Sequence, residues 1–541
     1  MSLPRSVAEI LREHVTLEVE GIDRMYLNAY VPGLQYESGV AAFFRRHRGQ
    51  PFASSALMEP ISKAFVAAMH AFVEEQGVPL ITFEKGQRKD DVMAEHLQRF
   101  AAPEGVVFVG RAQEKARVIR TEKRRNPTTG QAYPWLVRST AMVNHFYVYA
   151  VDGDFGPFFL KFGTYFPYTA KLCLNGHEYV KRQLAQRGIA FEALDNGILS
   201  CADPRRLQAL CDGLSAEKID TFFRKWLRRL PHPFTRQDRH AGYRYELSIL
   251  QAEFSLTQVL DRPLSGRVLF EDLIRENLDL GRPDRVQLIF DRRVTRQTPG
   301  RFRTRVLTEG VVPSLHVSYK HSDLKQYLKG LRPAAAGRAL RTELTVNDTR
   351  DFEIGRGLTN LAALRQVGFQ ATRRLLDVQR LSLESTIGDA TVERVHRPVT
   401  VAGQRAPGLR LLDPRVLALF MALVIFRLLP QGFTARDLRL HVAPLLGKAP
   451  SEVSPGQLTY DLRRLRLHGV IERLPQRHRY RVTAPGLRVA LFVPRLWART
   501  LRPGLATVMP DTAANDSPLR RAFERLERAM DDWCAEAKLA A

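Results

Sequence analysis

Residues 413–492 constrain the fold more than any other stretch, because apolar spacing, helix caps and helix stops agree there. The apolar run from Val416 to Phe426 predicts a buried helix, closed by Arg427 and Pro430. Thr434 is of a type that caps a helix by accepting from its free N–H groups, and residues 435–446 read as a second helix ending at Gly447. Ser454-Pro455 opens a third, with proline where its missing N–H costs nothing. In that helix Leu458, Leu462 and Leu465 recur at helical spacing and predict one apolar stripe. Gln457, Thr459, Tyr460, Arg463, Arg464 and Arg466 take the remaining faces. Gly469 stops the helix, and two short strands, 470–474 and 480–483, are predicted around the basic loop from Pro475 to Arg479.

Three short helices followed by a basic hairpin resemble a winged helix-turn-helix domain, the DNA-binding module of many bacterial regulators and replication proteins. The resemblance covers residues 413–492 and rests on the order of parts. It implies that the third helix enters the major groove while the hairpin lies along the phosphate backbone. Gln457, Arg463 and Arg464 are then expected at base edges, where Arg and Gln make bidentate contacts, with Thr459, Tyr460 and Arg466 beside them. Arg477, His478, Arg479 and Arg481 are expected at phosphates, which position a protein without reading sequence. A winged helix used only for protein contacts is the competing reading, and the arginine content of helix and hairpin weighs against it.

The charge of the whole chain points the same way. It carries 82 Lys and Arg against 57 Asp and Glu, a formal net charge of +25, which attracts polyanions and makes binding salt-dependent. A membrane surface is also anionic, but no basic amphipathic helix with aromatic anchors is evident, so no membrane partner is expected. The four cysteines, Cys173, Cys201, Cys211 and Cys534, make no C-x-x-C pair, which suggests neither a zinc ribbon nor a disulfide framework. The first residues lack an apolar signal core, and a cytoplasmic protein is the expectation.

At 541 residues several domains are expected, and the fold class predicted is multidomain α+β. Residues 1–230 alternate helical and strand-like segments and read as a mixed α/β domain. Helices are predicted near 60–75, 90–100, 169–187, 204–213 and 216–230, and strands near 80–83, 105–109, 145–149 and 158–162. The charges of 117–125 would crowd one another unless solvated or facing phosphate, and Asn126-Pro-Thr-Thr-Gly130 is a turn by composition. Residues 231–242 have the composition of a linker. Residues 243–383 read as a basic, mainly antiparallel sheet with helices. Its strands are expected near 286–290, 302–307, 315–319 and 339–346, and helices near 265–280 and 358–381. Alternation in 302–306 places Arg303 and Arg305 on one face, a candidate nucleic-acid surface. A second linker is expected over 384–410, the winged helix over 411–500, and a terminal amphipathic helix over 515–539 that could dock on the core or pair two copies as a homodimer.

Two enzymatic possibilities deserve weight. Segments within 319–343 resemble a strand pair of plasmid and phage replication initiators, in which a tyrosine attacks a DNA phosphate; Tyr327 would be that nucleophile. The family's His–hydrophobe–His metal motif is missing from this sequence, which argues against nicking. A metal-dependent nuclease instead needs carboxylates with a lysine, and Asp152 or Asp154 with Lys161, or Glu114 with Lys115, are candidates, with Mg2+ as the cofactor. His145, Cys173 and His177 lack the spacing of a metal set and are read as structural. Neither a Gly-x-x-x-x-Gly-Lys-Ser/Thr loop nor a Gly-x-Gly-x-x-Gly turn occurs. A DNA-binding replication, mobile-element or regulatory protein is therefore expected, ahead of a nuclease or nicking enzyme recruited by the winged helix. An RNA-directed role for the arginine-rich sheet stays open.

Overall fold

The computed structural model describes residues 7–270, 303–307, 314–319, 321–329, 338–383 and 389–497, except positions 85, 195, 267, 268, 428, 430 and 476, plus Leu501, Arg525, Arg528 and Ala529. The protein is mixed α/β and divides into two compact units: Ile10–Thr372, and Met1–Glu9 with Arg373–Ala541.

Among the described residues the larger unit is built on one eleven-stranded sheet. Its strands are β1 (Val15–Tyr30), β2 (Leu80–Thr82), β3 (Gly105–Arg125), β4 (Ala132–Asp152), β5 (Gly156–Gly163) and β6 (Ala170–Asn175); then, after the separate hairpin β7 (Phe191–Leu194) and β8 (Gly197–Cys201), β9 (Glu246–Leu260), β10 (Arg303–Leu307), β11 (Ser314–Tyr319), β12 (Ser322–Lys329) and β13 (Ala339–Val346). They run in the order β10-β11-β12-β13-β9-β1-β6-β5-β4-β3-β2. Every neighbour is antiparallel except β2, which lies parallel to β3. Its helices include α1 (Val7–His14, from Ile10 on), α2 (Glu37–Ala42), α3 (Ser55–Gln76), α4 (Lys89–Arg99), α5 (Gly176–Gln186), α6 (Pro204–Asp212), α7 (Ala216–Arg229), α8 (Arg236–His240) and the first half of the helix Leu361–Leu383. On one face of the sheet Phe65 of α3 packs on Phe146 and Phe162, and Phe222 and Trp226 of α7 pack on Phe158. At the β2 end of the other face, α4 and Phe83 close a core with Phe108, Tyr147 and Tyr149. By length and hydropathy α3 could cross a membrane; here its Phe65 is buried against the sheet.

A buried charge cluster ties the middle strands together. Asp23 lies where the β1–β9 register shifts, and its carboxylate meets His177 of α5, Ser255 of β9 and the fully buried Arg341 of β13. Burial alone would raise the Asp23 pKa, but Arg341 first, then His177 and Ser255, outweigh it and hold the carboxyl well below the usual range.

The expected linker at 231–242 is part of this unit, so the predicted split between 1–230 and 243–383 is not present: β1 and β9, one from each side, are sheet neighbours. The polar residues there are structural. Asp238 caps α8 through Thr235 and is buried against His47 (2.8 Å) and Arg48 (2.7 Å). The helix expected over 169–187 starts only at Gly176, since 170–175 fills the gap between β1 and β5 as a strand. A Cβ at Gly176 would lie 2.0 Å from the Ile22 carbonyl oxygen, so glycine lets α5 begin against β1. The predicted strand 286–290 lies outside the described residues, as does most of the predicted helix 265–280.

In the smaller unit the segment 384–410, expected as a linker, contains the helix Asp389–His396 and the hairpin β14 (Val399–Val401) and β15 (Gln404–Ala406). Helices Pro414–Phe426, Ala435–Leu445 and Pro455–Leu467 follow, then β16 (Ile471–Arg473), β17 (Tyr480–Val482) and the helix Ala484–Leu496. The predicted terminal helix over 515–539 falls almost wholly outside the described residues.

Candidate nucleic-acid interface

Local chemistry fixes the three helices of the smaller unit. The Asp413 side chain accepts from the N–H groups of Arg415 and Val416, and Pro414 sits at the first turn. Thr434 and Asp437 cap the second helix reciprocally. Ser454 caps the third by accepting from Gln457 N (3.2 Å). Leu458, Leu462 and Leu465 are buried, as the stripe predicted. Gln457, Thr459, Tyr460, Arg463 and Arg466 are exposed.

Two residues of this helix behave otherwise than its polar pattern suggests. Asp461 is buried and accepts two N–H bonds from Arg415, at 3.0 and 2.7 Å. Arg464 is half-buried; it donates to the Gly408 carbonyl (2.8 Å) and lies over the Tyr460 ring (5.6 Å). It therefore braces the helix, whereas Arg463 and Arg466 lie along its exposed face and touch the β14–β15 hairpin at Arg405 O and Gln404 (3.3 Å each).

The β16–β17 hairpin gains a third short partner, because Phe433 and Tyr480 exchange backbone hydrogen bonds of 2.8 Å. Arg477 and His478 are exposed at its tip. Arg479 donates to the Gln431 carbonyl (3.0 Å), and Arg481 is paired with Glu472 (2.6 Å). The outward charge of the hairpin thus comes mostly from its tip and from Arg473, which sits 3.1 Å from His478 Nδ1.

In the sheet, Glu114 and Lys161 come from different candidate sets yet meet. Both Glu114 oxygens are engaged, one by Lys161 and the other by Lys89 (2.5 Å) and the Tyr147 hydroxyl. Lys161 is buried, so desolvation outweighs its pairing with Glu114 and lowers its pKa to about 8. Glu114 keeps more of its surface, and its lysines, with Tyr147, overcome the penalty of burial and hold it well below the carboxylate range. His145 is lowered to about 4 by burial and then by Lys161. Beside this cluster a cavity of about 490 Å³ is lined by Tyr26, Lys89, Asp90, Tyr147, Tyr149 and Phe159, among others.

The other candidates do not join it. Lys115, next to Glu114, is exposed. Asp154 sits in the β4–β5 turn and accepts from Gln183 (3.3 Å) and Gln186 (3.2 Å). The Tyr327 hydroxyl donates to Glu343 (2.7 Å), and burial with that carboxylate raises its pKa, which disfavours the phenolate a nucleophile needs. Arg303 and Arg305 occupy alternate positions of β10, the outermost described strand. His177 is committed to Asp23, and among the described residues no three His, Cys, Asp or Glu side chains converge as a metal set would. Nothing local in the sequence points to Lys89, and for Tyr147 the one signal is the aromatic stretch His145-Phe-Tyr-Val-Tyr149. No family model, curated protein or solved structure matches this chain.

Proposed function

We propose that the protein binds duplex DNA and that residues 411–500 act as a winged helix-turn-helix, in a replication or mobile-element factor or a regulator of bacterial type. The observation that carries this reading is the exposed face of the helix Pro455–Leu467, made by Gln457, Thr459, Tyr460, Arg463 and Arg466, followed in the chain by a hairpin whose tip, Arg477 and His478, is also exposed. Such a face offers bidentate donors to base edges, while Arg477 and His478 suit phosphates. Arg464, by contrast, serves the fold. The test is fluorescence anisotropy of the full chain with labelled duplex DNA. Arg463→Ala with Arg466→Ala should weaken binding at least tenfold and leave thermal stability within about 1 kcal/mol, as for surface changes generally. Unchanged affinity in that double variant sinks the assignment.

Metal-assisted cleavage of nucleic acid is a second reading, favoured by one observation, the convergence of Glu114 with Lys161. Magnesium would have to displace a lysine from Glu114 to bind there. Cut products that need magnesium and vanish in Glu114→Ala would establish this activity; intact DNA in the wild type removes it.

A further inference from the structure

The longest strand pairing among the described residues serves no core at its far end. β3 and β4 are 21 residues each and stay in register from Ala112↔His145 out to Arg125↔Ala132, around the turn at Asn126–Gln131. The root of this ribbon is fastened: Thr121 exchanges hydrogen bonds with Ser55 of α3, and Arg138 pairs with Glu37 (3.2 Å) and lies over Tyr36 (4.9 Å). Val118 and Ile119 are the last buried apolar residues of β3.

Beyond Thr121 neither face is apolar. Residues paired across an antiparallel ribbon share a face, so one carries Arg120, Glu122, Arg124, Tyr133 and Trp135, and the other carries Lys123 and Arg125 opposite the small Pro134 and Ala132. The single acidic side chain in this stretch, Glu122, is taken by Arg120 (3.4 Å). Trp135 is 46% and Tyr133 39% exposed, and the Arg124 guanidinium lies 4.8 Å over the indole. An apolar strand end would be hidden against the body; a basic one with two open rings is suited to a polyanion.

We propose that the distal β3–β4 ribbon is a DNA-binding arm that enters the major groove of duplex DNA. It rests on the DNA-binding reading above and adds to it a second contact, in the larger unit. Three physical matches support the choice of partner. A two-stranded ribbon fits the undistorted major groove, about 12 Å wide, whereas the minor groove, about 6 Å wide, has to be opened at a cost in DNA deformation before it admits one. The four residues from Glu122 to Arg125 extend about 13 Å at strand rise, more than the groove's depth of about 8.5 Å. Cations on both faces of the ribbon meet the phosphates of both groove walls. The deep, narrow major groove of duplex RNA does not admit such an arm.

The test uses the full chain with labelled duplex DNA across a salt series, in wild type, in K123A/R124A/R125A and in R463A/R466A. These arm side chains are exposed, so circular dichroism and thermal unfolding should match wild type. The arm variant should bind more weakly and lose about 2–3 from the slope of log affinity against log salt, about 0.9 for each phosphate contact removed. Intrinsic fluorescence gives an independent readout among the 4 tryptophans: duplex DNA should quench a component that disappears in Trp135→Phe. An arm variant with wild-type affinity and slope, while R463A/R466A loses binding, overturns the arm and leaves the DNA-binding reading intact. Quenching of Trp135 by single-stranded but not duplex DNA overturns the groove in favour of base stacking. Failure of the wild type to bind any duplex overturns both.

Discussion

At the scale of single residues, the strongest constraint is Asp23, which holds Arg341, His177 and Ser255 inside the sheet. Asp23→Asn removes the only formal negative charge among these contacts and leaves the fully buried Arg341 with Glu343 as its remaining carboxylate contact, beside the Asn196 carbonyl and the Thr257 hydroxyl. Breaking a buried pair costs about 3–5 kcal/mol, and the denaturant midpoint of the larger unit should fall accordingly. A loss below about 1 kcal/mol would show the cluster to be incidental. Because the folded pKa of Asp23 is depressed, its contribution is present above the ordinary carboxylate value of 3.8 and lost as pH falls below it. Lys161 has the opposite arithmetic to a usual lysine. Folded, it releases its proton near 8, while the unfolded chain keeps it up to 10.5, so the unfolded state binds more protons in that window. Wild type should therefore gain stability relative to Lys161→Met between pH 8 and 10.5. A flat difference over that range refutes the buried-lysine account.

At the scale of elements, capping decides how firmly the smaller unit holds its helices. Thr434→Ala deletes one half of a reciprocal cap and should cost about 1 kcal/mol, read as a shift in urea midpoint at constant slope. Gly176→Ala should be far costlier, since its methyl collides with the Ile22 carbonyl and would push α5 from β1; near-wild-type stability there would contradict the close approach. The elements also show what the sequence reveals. The three helices and hairpin of 413–492 were legible because caps, prolines and a leucine stripe are local signals; the predicted start at Ser454-Pro455 and the stop near Gly469 match the observed helix Pro455–Leu467. The strand 339–346 was equally plain. β1 and β9 were missed, and with them the unity of the sheet, because pairing Val15 with Leu260 leaves no trace in a short window. Glu114 and Lys161 were named separately for the same reason: only register across β3, β4 and β5 brings them together. Arg464 looked like its neighbours because helical spacing alone does not reveal the Gly408 carbonyl that claims it.

At the scale of the whole molecule, two compact units predict unfolding that is not a single two-state event. Calorimetry should resolve more than one transition, with Asp23→Asn moving one and Thr434→Ala another. One sharp transition shifted by both variants would mean the units unfold as one. The chain as a whole carries a net charge of +25, so the affinity of the intact protein for duplex DNA should fall steeply as salt rises.

The placing of β1 between β6 and β9 also has a consequence for biosynthesis. As the chain leaves the ribosome, β1 can pair with β6 early, but its other edge stays open until β9 is made. At ordinary elongation rates that interval is on the order of ten seconds, long enough for a nascent apolar strand to find the wrong neighbour. Messages truncated before Glu246 should therefore yield insoluble product, and the full-length protein should depend on chaperones that shield strand edges during translation.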